Sequence, residues 1–161
     1  MNELVLDRCF YEALSKSADF RQWLLGKTKF VALNVELVVV EEKKWHQTWY
    51  KDPETKKDSE TDIMLIFCDV NSMRYALHIE NKPDHRTWEP NQVENYEKRA
   101  RYRMKKWNYI EFQTVLLAPV SFLERHKAEA AQFDVLLSYE EVGDFVPEFK
   151  VAAQKADSLR E

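Results

Sequence analysis

A helix, three strands, a second helix and a further strand, in that order along 161 residues, predict an α/β sandwich around a mixed central sheet. Three observations carry that expectation. Two apolar runs, TDIMLIF and YALHIENK, flank a short turn at 69–73 and read as neighbouring strands. A helical pattern from Gln92 to Trp107 follows them, and a β-rich run at 112–118, closed by Pro119, comes after the helix. The 45% hydrophobic content is enough for one core, so a single domain over 1–161 is expected, with its core at about 3–137.

The elements follow in chain order. A first helix is expected over 3–25, stopped by Gly26 at the position after its C-cap. A long strand at 30–42 comes next. The polar stretch 43–61 holds the turn signal Asp52-Pro53-Glu54-Thr55 beside Trp45, Trp49 and Tyr50, and reads as a hairpin or loop at the mouth of a site. Strands at 62–69 and 74–81 precede the helix, for which Pro90 and Asn91 supply a start. Ser121-x-x-Glu124 is a capping-box pattern for a helix reaching about 132. Residues 135–137 suit an edge strand, Ser138-x-x-Glu141 opens a last helical turn, and a polar tail from 154 is expected to fray.

Composition excludes several classes. With only Gly26 and Gly143, neither a dinucleotide fingerprint nor a P-loop can be written. Cys9 and Cys68 are too few for a thiolate metal site or a disulfide framework, which points to a reducing compartment and a cytoplasmic protein. No apolar stretch approaches the ~18 residues of a membrane span.

The polar residues that interrupt the apolar runs carry the chemistry. Asp62 opens one run, Glu80 and Lys82 end the next, and Gln92 and Tyr96 lie one helical turn apart on the following helix. Alternation puts Glu80 and Lys82 on one strand face, about 6 to 7 Å apart, with Tyr75, Leu77 and Ile79 on the other. It groups Asp62 with Met64 and Ile66. If the two strands form a hairpin, Asp62 meets Glu80 at one end of the ladder. Two carboxylates there suit a hard divalent cation, and a lysine beside them suits an attacking water or a phosphate. Arg99 and Arg103 continue the Gln92/Tyr96 stripe, while Val93, Ala100, Met104 and Trp107 form an adjacent apolar stripe. The polar stripe is therefore expected to face a polyanion. Lys98, Arg99, Arg101, Arg103, Lys105 and Lys106, interleaved with Tyr102, make a local basic signal in a chain of net charge -4.

Asp62, Glu80-Asn81-Lys82 and Gln92-x-x-x-Tyr96 together resemble the PD-(D/E)xK, or restriction-endonuclease-like, nuclease superfamily, in particular its Gln-x-x-x-Tyr subgroup. The likeness spans about the first three quarters of the chain. It implies an α-β-β-β-α-β core and a Mg²⁺- or Mn²⁺-dependent nuclease, exo- or endonucleolytic, acting on DNA, with RNA also compatible. Asp62, Glu80 and the main-chain carbonyl of Asn81 would hold the metal, Lys82 would be catalytic, and Gln92 and Tyr96 would orient substrate or ligands. Thr61 stands where the motif has proline. The superfamily usually supplies one more carboxylate: Glu36, costly to bury inside an apolar strand without a cation, is favoured over Glu12, which lies off the apolar face of the first helix. A homodimer would supply one site per strand of a duplex.

Each motif has a plainer explanation alone. Asp at a strand start is usually a turn residue, Glu-x-Lys usually a solvated face, and Gln-x-x-x-Tyr recurs by chance. Their joint order carries the reading. Of the histidines only His78 shares the Glu80 face, where it would donate to a phosphate or a metal-bound carboxylate. Trp45, Trp49 and Trp88 are candidates for base stacking. The alternative function is a non-catalytic nucleic-acid-binding or protein-docking module on the same fold.

Overall fold

The computed structural model describes residues 2–39, 45–56, 58–83, 88 and 91–159. Helices α1 (Glu3–Lys16) and α2 (Ala18–Gly26) lead into strands β1 (Val35–Leu37), β2 (His46–Lys51), β3 (Asp58–Asp69) and β4 (Arg74–Asn81). Then come α3 (Gln92–Trp107), β5 (Tyr109–Ala118), α4 (Val120–Arg125), α5 (Lys127–Ala130), β6 (Val135–Ser138), α6 (Tyr139–Val142) and α7 (Pro147–Ser158). The sheet order is β1-β3-β4-β5-β6, with β2 also on β3. β3 runs antiparallel to β1, β2 and β4, whereas β4, β5 and β6 are mutually parallel. The sheet is thus mixed, and the α/β class read from the sequence holds. Ile63 pairs with both His46 and Ile79, and Phe67 with both Leu37 and Tyr75, so β1 and β2 lie end to end along one edge of β3.

One sheet face carries Ile63, Leu65, Phe67, Leu77, Ile79, Val115 and Leu117 against Leu6, Phe10 and Leu14 of α1, Phe20 and Leu24 of α2, and Phe149 of α7. Burying each large side chain there contributes about 1.5–3 kcal/mol. The other face carries Met64, Ile66, Ala76 and Tyr109 beneath Met104 and Trp107 of α3, and Leu116 beside Tyr96, Ala130 and Phe133. No helix among the described residues is long and apolar enough to cross a membrane.

Several elements depart from the sequence reading. The expected helix over 3–25 is broken at Ser17, which is extended, caps the end of α1 and accepts the Phe20 N–H at the start of α2. Apolar spacing continues across the break and hides it. Gly26 belongs to α2, and no glycine adopts positive φ, so it is not a left-handed stop. Among the described residues of 30–42 only Val35–Leu37 is strand; 40–44 lie outside the described residues. β3 begins four residues earlier than expected because β2 pairs with its first half. The turn between them is held by Asp52 Oδ1, which accepts the N–H groups of Glu54 (2.8 Å) and Thr55 (3.2 Å). The helix does not start at Ser121: α4 starts after Pro119, with no side-chain cap at its N-cap. The capping box is formed instead by Ser138 and Glu141. The chain from 154 is helical to Ser158 with Ala156 buried, and the core extends past 137 to Phe149 and Ala153.

Candidate functional site

The turn after β3 sets the register on which the site depends. Asp69 Oδ1 accepts the N–H groups of Asn71 and Met73, both at 2.9 Å, and Ser72 takes the left-handed conformation the turn requires. Phe67 then faces Tyr75, and the ladder runs back to Ile63 facing Ile79. The ladder ends there, and one residue further Asp62 lies near enough to Glu80 for the two charges to interact.

Asp62 and Glu80 are not an ordinary ladder pair. The Tyr96 hydroxyl from α3 accepts the Asp62 N–H at 3.3 Å and donates to the Ile79 carbonyl at 3.5 Å, standing between two strands that would otherwise bond directly. Asp62 Oδ2 in turn accepts the Asn81 N–H at 2.8 Å. From Thr61 back to Asp58 the pairing partner of β3 is β2 alone. The alternation that groups Asp62 with Met64 and Ile66 fails here: Met64 and Ile66 pack under α3, whereas the Asp62 carboxylate reaches the acidic side chains of α1. The β4 ladder stops at Ile63, so it does not hold Asp62 to the alternation of the residues that follow.

Glu80 Oε1 receives two donors, the Gln92 amide and the Lys82 ammonium at 3.2 Å. Lys82 lies just past β4, where its N–H donates to the Leu117 carbonyl at 2.8 Å and keeps it beside β5. Asn81, between Glu80 and Lys82, is fixed on the opposite face. Its amide donates to Asp7 Oδ1 at 2.7 Å and its side-chain oxygen accepts the Tyr139 hydroxyl. Asp7 Oδ2 also lies 3.3 Å from His46 Nε2. Asp62, Glu80, Asn81, Lys82 and Gln92 are all buried.

Two site residues escaped the sequence reading. Carboxylate oxygens of Glu3, Asp7 and Asp62 lie within 4.8 Å of one another, a grouping compatible with a cation. Their signal was available: Glu3 and Asp7 are one turn apart on α1, and Asp7 continues into buried Tyr11 and Leu14. Glu36 and Glu12 are corrected accordingly. Glu36 is exposed and pairs with Cys68 at the far end of β3, so it has no burial cost to offset, and Glu12 is exposed on α1. Burial raises the Asp62 carboxyl well above its usual range, and the negative charges of Glu80, Asp7 and Glu3 push the same way. The site therefore favours either a proton on Asp62 or a cation beside it.

The other half of the α3 reading is reversed. Arg99 and Arg103 share the stripe of Gln92 and Tyr96, but that stripe packs onto the sheet, and both arginines are buried, at 3% and 4% exposure. Arg99 Nε donates to Thr61 Oγ1 at 3.2 Å, and its guanidinium sits 4.0 Å from the centre of the Tyr96 ring. The solvent side carries Lys98, Arg101, Lys105 and Lys106 with Tyr102, which is 60% exposed. Lys98 lies 3.7 Å from Asp52 and Arg101 2.8 Å from Glu97. His78 is fully buried between Thr61 and Tyr109, hydrogen-bonded to both, and burial with the nearby Arg99 and Arg103 charges drives it down to about 3. It is a neutral structural group without the donor role expected of it. Trp45 is buried in a stack on Tyr11 and Trp88 packs on Phe122, His126 and Phe133, so neither is displayed for bases. The side chain of Trp49, like Pro90, lies outside the described residues.

No protein-family model matches the chain, and no curated protein or solved structure matches it either.

Proposed function

We propose that this chain is a divalent-metal-dependent nuclease of the PD-(D/E)xK type, with a restriction-endonuclease-like α-β-β-β-α-β core and a Gln-x-x-x-Tyr helix. The observation that carries the reading is the convergence of the five motif residues. Gln92 and Lys82 both bond Glu80, and Tyr96 bonds the backbone of Asp62 opposite. A chance Gln-x-x-x-Tyr would not place one side chain on the Glu80 carboxylate and the other on the Asp62 backbone.

The donor set fits a hard cation. Asp62 and Glu80 offer carboxylate oxygens, the Asn81 carbonyl lies between Glu80 and Lys82 in sequence, and Glu3 and Asp7 add acidic oxygens beside Asp62. Bound Mg²⁺ or Mn²⁺ would supply activation of water and charge neutralisation at a phosphodiester. The chain's own residues do the rest. Lys82 holds a proton and a positive charge next to Glu80, where a phosphate oxygen or the attacking water would sit. Gln92 fixes the Glu80 carboxylate, and Tyr96 fixes the backbone of Asp62. DNA is the proposed substrate, its backbone tracking the exposed Lys98, Arg101, Lys105 and Lys106 rather than the buried arginines.

Burial of the carboxylates and Lys82 favours a second reading, a non-catalytic nucleic-acid-binding or docking module. Incubation with linear, circular and single-stranded DNA and with RNA, in Mg²⁺, Mn²⁺ or EDTA, separates the two. Metal-dependent cleavage lost in Glu80→Ala supports the enzyme, and binding without cleavage under every condition supports the module. Cleavage of circles identifies an endonuclease.

A further inference from the structure

Behind the two carboxylates a single hydrogen-bond chain joins three strands to α3. Arg99 Nε donates to Thr61 Oγ1 at 3.2 Å, and Thr61 Oγ1 lies 3.3 Å from His78 Nδ1. His78 Nε2 lies 3.1 Å from the Tyr109 hydroxyl, which donates to the Ala100 carbonyl. The polarity of the chain follows from its ends. Because the Tyr109 proton is committed to Ala100, its oxygen accepts from His78, so Nε2 carries the imidazole proton and Nδ1 is the acceptor. The Thr61 hydroxyl therefore accepts from Arg99 and donates to His78, using both of its roles. Thr61 and His78 are 0% exposed, so no water competes for either group.

Thr61 immediately precedes Asp62, and Arg99 also packs on the ring of Tyr96, whose hydroxyl takes the Asp62 N–H. The backbone carrying Asp62 is thus held on both sides by groups resting on Arg99, at the end of β3 where β4 no longer pairs with it. A proline at 61, the residue expected from the motif, has no hydroxyl to offer.

We propose that the Thr61 hydroxyl is a positioning group: seated between Arg99 and His78, it fixes the Asp62 backbone and so sets the Asp62–Glu80 geometry at which a divalent cation is held. The inference rests on the nuclease reading for its consequence and on the hydrogen-bond chain for its mechanism. Groups that orient metal ligands typically change metal affinity or activity about 10–100-fold when removed.

The test compares wild type, Thr61→Val and Thr61→Ser. Mn²⁺ binding is followed by calorimetry, and the His78 ring nitrogens by ¹⁵N NMR. Thr61→Val keeps the shape and loses the hydroxyl; it should weaken Mn²⁺ binding about tenfold or more and move the Nδ1 resonance toward that of an acceptor without a partner. Thr61→Ser, which restores the hydroxyl, should return both readouts to near wild type. A merely structural threonine would lower the melting temperature of the Val variant and leave its Mn²⁺ affinity unchanged, which overturns the proposal. An unaltered Nδ1 resonance in Thr61→Val also overturns it. If wild type binds no Mn²⁺ the metal reading fails by itself, and the brace is then judged on the imidazole resonances alone.

Discussion

Replacing Asp62 by Asn should make the metal-free protein more stable at alkaline pH. Asparagine is close in shape and can still accept the Asn81 N–H, so the change removes charge and little else. The charge is unfavourable: oxygens of Glu3 and Asp7 lie within 4.8 Å, and Glu80 adds to the repulsion. At an effective dielectric near 20, two like charges at that distance repel by about 3 kcal/mol. Other charges and solvent relieve part of this repulsion in wild type, so a gain of about 1 to 3 kcal/mol is expected. For a domain of this size that is a melting-temperature rise of roughly 2 to 12 °C. The sign with pH follows from the raised carboxyl. Its contribution to stability is fully present below the unfolded value of 3.8 and is lost as pH rises through the higher folded value. The advantage of Asn should therefore be small in acid and grow toward pH 8 in EDTA. Mn²⁺ should reverse the order, because a ligand at 100 times its Kd adds about 2.7 kcal/mol to a protein that binds it. That is roughly 5 to 11 °C for wild type, most of it absent in Asp62→Asn. Melting curves across pH, with EDTA or Mn²⁺, decide the matter. An Asn variant no more stable than wild type in EDTA at pH 8 refutes the electrostatic reasoning, and an equal Mn²⁺ shift in both refutes Asp62 as a ligand.

Three further outcomes are expected. Lys82→Ala should bind Mn²⁺ and DNA nearly as wild type while losing turnover, since its role is realised mainly in the transition state; a rise in KM with kcat unchanged would contradict it. Tyr96→Phe removes the hydroxyl between Asp62 N–H and the Ile79 carbonyl, and at separations of 3.3 and 3.5 Å should cost about 1 to 2 kcal/mol in urea unfolding. Unchanged stability would show that the hydroxyl does not bridge the strands. Arg101→Ala with Lys105→Ala should lower the slope of log K against log salt for DNA by about one unit for each phosphate left without its cation. Arg99→Ala should instead destabilise the fold by about 1 to 3 kcal/mol with that slope intact; a reduced slope would return Arg99 to the substrate surface.

Features that depend on short stretches of chain were legible in the residues alone. The 74–81 strand and the 92–107 helix have the bounds read from their patterns, and the hairpin register followed from the position of one short turn. Asp62, Glu80 and Lys82 come together for that reason: strand periodicity and a tight turn are local and fix which residues can face each other. Gln92 and Tyr96 sharing a face is equally local. Which way that face turns is not. Periodicity gives positions around a helix axis, but the rotation of the helix against the sheet is set by partners distant in sequence. The polar stripe of α3 turned inward, where Glu80, the Asp62 backbone and Thr61 receive Gln92, Tyr96 and Arg99; Arg103 is buried on the same stripe with its Nε unpartnered, and Lys98 and Arg101 stay outside. The additional carboxylates were decided in the same way. Glu36 looked costly only on the premise of a long buried strand, whereas Glu3 and Asp7 join Asp62 because α1 packs across the sheet, an approach spanning more than fifty residues that no local pattern contains.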